Sequence, residues 1–283
     1  MNERSSTGAA WFADIDPGDM GAATEAIRER TADAPLNWPS EAIDAEFADD
    51  EADYYAKLRE ATLESTHDAV REREKADDQQ LKHSVRAMDD CDRTANELAE
   101  RVAEWAGTLF EDAGTGVDGA RDLAERDPAG PTERRVVSLA ERVASLADES
   151  DDLREYVERQ AGTVAPNLAA MAGPVLAARL IALAGGLDSL AKMPSGTVQV
   201  LGAEDALFAH LRGRASSPKH GVIYTHEYVR GTAPEHRGSA SRALAGKLTI
   251  AARIDHYSGE RKPEIDRELD ERIETIRARG ESE

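Results

Sequence analysis

At 283 residues the chain can bury a sizeable core in one to three domains. Charged residues make up 32 % and aromatics 5 %, with 56 Asp+Glu against 35 Lys+Arg, which favours helices over sheet and excludes a basic, nucleic-acid-coating chain as a whole. One cysteine, Cys91, excludes an internal disulfide framework and a multi-cysteine zinc site and reads as an ordinary surface thiol. The acid excess, with 7 Lys against 28 Arg, fits a salt-adapted protein whose acidic surface stays hydrated. An acidic protein from an ordinary setting is the alternative.

Residues 1–75 read as a reduced N-terminal domain. Residues 10–15 form a candidate short strand, residues 20–32 a helix, and no second strand follows. Met1-Asn2-Glu3-Arg4 does not begin a basic-then-apolar leader, so a soluble, cytoplasmic protein is expected. Residues 51–80 read as a highly charged helix with Tyr54, Leu58 and Ala61 on one side.

Residues 76–164 hold two long amphipathic segments. Leu81, Val85, Met88, Ala95, Leu98, Val102, Trp105 and Leu109 recur at three- and four-residue steps, as do Val136, Leu139, Val143, Leu146, Leu153 and Val157. Such steps line one stripe of a helix, and a stripe this long requires a partner. Residues 112–131, with four Gly and two Pro, break the helix between them. The pattern predicts an antiparallel coiled-coil hairpin with arms of roughly 40–45 Å. A simple helical bundle is the alternative, and in either case these residues are packing surface.

After Val164, helical patterns at 167–183, 187–192, 203–211 and 234–257 are separated by Gly and Pro. Pro234 suits a first helical turn. The most apolar stretch, 168–187, is interrupted by Pro174 and Arg179 and reads as core, not as a membrane span. The connection 212–232 carries Ser217-Pro218-Lys219-His220-Gly221 and the β-favouring run Val222-Ile223-Tyr224. Residues 263–283 read as a charged, fraying helix.

The charge reverses locally. Residues 166–262 hold 12 Lys+Arg against 7 Asp+Glu, a net of +5, while the remainder holds 23 against 49, a net of −26. Five of the seven histidines, His210, His220, His226, His236 and His256, lie in this island. Such a reversal points to a polyanionic partner. Arg242 and Arg253, eleven residues apart, return within ~20° on a helix and stand ~16 Å apart, with Leu244, Leu248 and Ala251 roughly opposite. The competing reading pairs Arg253 with Asp255 or Glu260 and leaves Arg242 solvated. The Lys219-His220 turn offers a cation beside a flat ring, the combination that holds unstacked RNA bases. No Walker loop, G-x-G-x-x-G, H-E-x-x-H or G-x-S-x-G is present, so no catalytic residues are expected. His220, His226 and His236 have no common zinc spacing, and no metal site is expected.

Several motifs carry a family resemblance. Ala165-Pro166-Asn167-Leu168, Gly173-Pro174, Ala178-Arg179-Leu180-Ile181, Ala184-Gly185-Gly186-Leu187, Leu190-Ala191-Lys192-Met193-Pro194-Ser195, Gln199-Val200-Leu201-Gly202-Ala203-Glu204, Ala206-Leu207-Phe208, Pro218-Lys219-His220-Gly221 and Leu244-Ala245-Gly246-Lys247 through Ala251-Ala252-Arg253-Ile254-Asp255 resemble the Nop domain. Asp92-Arg93-Thr94-Ala95-Asn96-Glu97-Leu98 to Glu104-Trp105 is similar to the first coiled-coil helix of the same family. More narrowly, the chain resembles the archaeal scaffold proteins of box C/D guide-RNA ribonucleoproteins, in a short, haloarchaeal-type form.

The resemblance implies a mainly α fold with a reduced N-terminal domain, an antiparallel coiled-coil hairpin and an all-helical C-terminal Nop domain. Its RNA-binding region would span 165–262, followed by a charged tail, 263–283. It further implies a non-catalytic scaffold. In the family, the N-terminal domain holds fibrillarin, a 2′-O-methyltransferase that uses S-adenosylmethionine; the coiled coil self-associates; and the Nop domain binds kink-turn RNA already covered by a small ribosomal-type protein. By motif match, Lys219 and His220 approach RNA, and Arg237, Arg242, Lys247 and Arg253 lie on or support the basic face. Gln199 and the turn Gly202, Ala203, Glu204 shape a composite surface. A general RNA assembly factor without fibrillarin coupling is the alternative. The chain departs from the family's usual Lys, Gln and Lys at Asp205, Thr225 and Ser239. Two cations are lost, so affinity should rest on shape, stacking and the protein co-partner, as fits high salt.

Overall fold

The computed structural model describes residues 10–30 and 37–280, and these fall within two compact units, Met1–Ala76 and Asp77–Glu283. Fourteen α-helices and one 3-10 turn make up the secondary structure of the described residues, with no strand, so the mainly α fold stands.

The first unit contains α1 (Met20–Glu29), α2 (Trp38–Asp44) and α3 (Glu51–Glu74). The carboxylates of Asp19 and Asp50 accept from Ala22 N and Asp53 N, capping the first turns of α1 and α3. The expected strand at 10–15 is a pair of turns instead. Ala13 N donates to Ala10 O (3.0 Å), Ile15 N to Phe12 O (3.2 Å), and Asp14 adopts φ 60°. Its bulky residues serve an aromatic cluster: Trp11 and Phe12 pack among Trp38, Phe47 and Tyr54 at centroid separations of 5.2 to 6.3 Å. With no neighbouring strand among the described residues, ring packing, mostly edge-to-face with Phe12 stacked on Phe47, decides the local conformation. The helix expected over 20–32 ends at Glu29, because Arg30 is extended; residues 31 and 32 lie outside the described residues. The helix expected over 51–80 breaks at Lys75 and Ala76.

The second unit opens with α4 (Asp77–Ala106), α5 (Gly116–Ala124) and α6 (Pro131–Val164). Leu81, Val85 and Met88 pack with Val157 and Ala161, whereas Ala95, Ala99, Val102 and Ala106 pack with Val136, Ala140 and Val143, so α4 and α6 run antiparallel. Alanine dominates the far half of this seam and lets the helices approach closely. Leu98, Leu139 and Leu146 flank it half-buried. Trp105 does not join it: Ala106 takes the seam position, about 100° further round, and Trp105 is left 41 % exposed. Leu109 lies past the helix end and is exposed. The Gly-rich break conceals α5, whose Ala120 and Leu123 close the far end of the hairpin.

The chain continues through α7 (Pro166–Ala172), α8 (Pro174–Ala184), α9 (Leu187–Lys192), α10 (Ser195–Val200) and α11 (Glu204–Leu211). The 3-10 turn Val222–Thr225, α12 (Glu227–Arg230), α13 (Arg237–Tyr257) and α14 (Glu264–Gly280) complete it. The single helix expected at 167–183 is bent by 118° at Gly173, whose φ of 79° precedes Pro174. No described helix is long and apolar enough to cross a membrane. The turn at Ala233–His236 precedes α13, with Arg237 N donating to Ala233 O. Residues Leu244, Leu248 and Ala251 are buried, as expected. In place of a fraying tail, α14 docks on α13 through buried Ile265, Leu269, Ile273 and Ile276. One core therefore joins the near half of the hairpin, helices α7 to α9, α13 and α14.

Asp255, only 7 % exposed, joins these elements. Its carboxylate accepts from Asn167 N (3.0 Å), Asn167 Nδ2 (2.6 Å) and Leu168 N (2.8 Å), capping α7 from the end of α13. Asn167 in turn donates to Glu260 O (2.9 Å) and accepts from Lys262 N (2.7 Å), fixing the link into α14. Asp255→Ala would leave buried donors without partners and should lower unfolding stability by about 3 kcal/mol. The denaturant midpoint of the second unit's transition measures this, and an unchanged midpoint would contradict the role given to Asp255.

Candidate nucleic-acid interface

The site is built on two short backbone segments held side by side. Gly221 N donates to Gln199 O (2.9 Å), Val222 N donates to Leu201 O (2.8 Å), and the Gln199 side chain donates to Lys219 O (2.7 Å). The approach requires glycine: a Cβ on Gly221 would lie 2.1 Å from Leu201 O. The loop 217–220 is thus pinned at its base, with Lys219 exposed at its turn. The β-favouring residues Val222 to Tyr224 form a 3-10 turn, not a strand, because the backbone pairing ends at Val222.

Behind the loop, the His220 ring stacks on Tyr224 at 4.5 Å and 25°, and the Arg237 guanidinium lies 5.6 Å from the same ring. Arg237 Nε donates to Thr232 O (3.0 Å), so Arg237 supports the stack from inside. Burial, then the Arg237 charge, lowers the His220 pKa below the usual histidine range. At neutral pH His220 is therefore an uncharged flat ring beside a cation.

A cavity of about 530 Å³ opens beside the loop, lined by Gln199, Ser217, Lys219, Glu235, Ser239 and Arg242 among others. The structure thereby brings together three expected site residues, Gln199, Lys219 and Arg242, with His220 adjacent in the loop. Arg242 is exposed on α13, opposite the buried Leu244 and Leu248. Arg253 donates through Nε to Ala191 O (3.0 Å) at the end of α9 and does not pair with Asp255, which caps α7. Lys247 pairs with Glu268 of α14, about 140° round the helix from Arg242, and is not among the residues that line this cavity. Helix periodicity places a side chain on a face without revealing which element covers that face.

Gly202, Ala203 and Glu204 form a turn in which Glu204 Oε1 accepts from Gly202 N (2.8 Å) and Gly202 adopts φ 81°. Gly202 lines a different cavity, of about 450 Å³, together with Val85, Arg179 and Val222. His226 is structural. One ring nitrogen bonds Met171 O (3.1 Å), the other accepts from Tyr228 N (3.1 Å), and burial lowers its pKa. The described residues hold no cluster of potential metal ligands. Sequence reasoning missed the brace by Gln199, the Tyr224 platform and the carboxylate of Glu235.

A protein-family profile described as "Nop: snoRNA binding domain, fibrillarin" matches residues 120–278. The chain is 34 % identical over 262 residues to an uncharacterized NOP5 family protein of Methanocaldococcus jannaschii, covering 80 % of this chain and 63 % of that protein. It is 40 % identical over 164 residues to nucleolar protein 56 of Saccharomyces cerevisiae, covering 57 % and 32 %. It is 44 % identical over 123 residues to nucleolar protein 56 of Homo sapiens, covering 44 % and 21 %. The chain thus spans less than two thirds of the length of each of these relatives. A solved structure titled as a fibrillarin/Nop5p complex matches 90 % of this chain and 92 % of its own at a TM-score of 0.53 and 24 % identity, which shows a shared fold.

Gly221→Ala tests the pinned loop. It should destabilise the second unit by about 2–3 kcal/mol through overpacking against backbone. Thermal unfolding would register the loss, and a wild-type midpoint would show that the close approach is not needed.

Proposed function

The chain belongs to the Nop family, and on that premise we propose that it is a non-catalytic scaffold of a box C/D guide-RNA ribonucleoprotein. It would bridge kink-turn RNA and its small ribosomal-type protein to fibrillarin, so that fibrillarin methylates ribose 2′-hydroxyls on RNA chosen by guide pairing. S-adenosylmethionine would bind the methyltransferase and not this chain. The observation that carries the RNA-binding part is the cavity uniting Gln199, Lys219 and Arg242 beside the stacked His220.

The residues divide the work by their surroundings. Lys219 and Arg242, exposed and without a recorded ion pair among the described residues, are available to phosphate oxygens. His220 offers a neutral ring for stacking, braced by Tyr224 and Arg237. Gln199 holds the loop at its carbonyl. The turn at Gly202 to Glu204 supports a composite surface for the protein co-partner. The apolar seam between α4 and α6 is filled within the chain, so self-association would use the face carrying exposed Trp105 and Leu109.

The ternary complex of this chain, kink-turn RNA and the kink-turn protein tests the proposal. Lys219→Ala and Arg242→Ala should each weaken binding and reduce the slope of log affinity against log salt by about 1. Lys247→Ala, already paired with Glu268, should leave that slope unchanged. An intact complex at high salt from His220→Ala combined with Arg242→Glu would remove the assigned surface. Stable binding of RNA without capture of fibrillarin would instead favour a general RNA assembly factor.

A further inference from the structure

The RNA cavity contains a carboxylate as well as cations. Lys219, Glu235 and Arg242 share its lining with Gln199, Ser217 and Ser239, yet among the described residues Glu235 forms no ion pair with either cation. The backbone explains why they stay apart. The helical turn from Ala233 runs directly into α13, as Arg237 N donates to Ala233 O. Arg242 therefore follows Glu235 by seven residues, on the same side within ~20° and ~10 Å further along. Ser239 stands between them on the lining.

A cavity serving only phosphate has no use for this carboxylate, since two anions repel. An ionised carboxylate is acceptor-only and needs an N–H or O–H donor. A nucleotide offers both halves, a phosphate at one end and base N–H donors at the other. Bare phosphate offers one. Unpaired bases are read by hydrogen bonds to their edges, which are free only when the base is unstacked.

Resting on the RNA-binding reading above, we propose that Glu235 is a selectivity residue: it accepts a hydrogen bond from the N–H edge of an unpaired base whose phosphate lies on Lys219 and Arg242, and it repels a bare polyanion. The carboxylate would then contribute little gross affinity and most of the discrimination.

Wild type and Glu235→Gln test this as full-length chains, with two readouts. One is the affinity of the complex with kink-turn RNA and its protein. The other is direct binding of inorganic polyphosphate by the chain alone. Glu235→Gln should bind polyphosphate about tenfold more tightly, because a repulsive charge is gone. It should bind the RNA about threefold more weakly, because a charged acceptor is lost. Tightening of both by one factor would mean that Glu235 merely lowers the local potential, and would overturn the proposal. No change in either would overturn it as well. Failure of the wild-type arm to enter the RNA complex would remove the function reading and the proposal with it, and that failure is visible without any variant. Because Glu235 is exposed, an unchanged unfolding midpoint in Glu235→Gln checks that the fold is retained.

Discussion

The second unit depends on a charge placed inside it. Asp255 is buried and is tolerated there because three donors from Asn167 and Leu168 meet its oxygens. Its carboxylate occupies the N-terminus of α7, where backbone N–H groups lack intrahelical partners and the helix dipole favours an anion. One interaction thereby fixes the angle at which the chain leaves α6, the end of α13, and, through Asn167, the start of α14. The same α13 carries Arg242 nearer its other end, in the lining of the candidate site.

The site itself is an exposed loop on a rigid base. Backbone pairing between 199–201 and 221–222, possible only at the contact distance glycine allows, holds the loop with Lys219 exposed and His220 half-buried. Stacking on Tyr224, with Arg237 behind, removes rotational freedom from His220 before any ligand arrives. Ordering paid in the free protein is not paid again on binding. This suits a cavity with few cations, Lys219 and Arg242, and with the carboxylate of Glu235 beside them.

Much of this was legible in the residues. The stripes of α4 and α6 predicted the antiparallel hairpin, and the buried face of α13 followed from Leu244, Leu248 and Ala251, whereas Lys219 and Arg242 were each singled out without their shared cavity being visible. What escaped notice has physical causes. Short elements such as α5 and α10 are too brief for a periodic signal and are stabilised by tertiary packing. Gly173 and Pro174 bend a stretch whose composition alone reads as one helix. The stripe Ile265, Leu269, Ile273 and Ile276 was present in α14, but surrounding charge hid it. The pairing of Lys247 with Glu268 was hidden for the same reason, because the packing of that helix on α13 was not visible. Trp11 and Phe12 have strand propensity, yet an aromatic cluster claims them, with no strand among the described residues to pair with.

Amide hydrogen exchange on the ternary complex tests the central claim most directly. In the free protein, Gly221 and Val222 amides should already be protected by their bonds to Gln199 and Leu201. On addition of kink-turn RNA with its protein, new protection should appear across 217–222 and around Arg242, while the Lys247 side of α13 and the packed α14 remain unchanged. Protection confined to α14, or none at the 217–222 loop, would contradict the account.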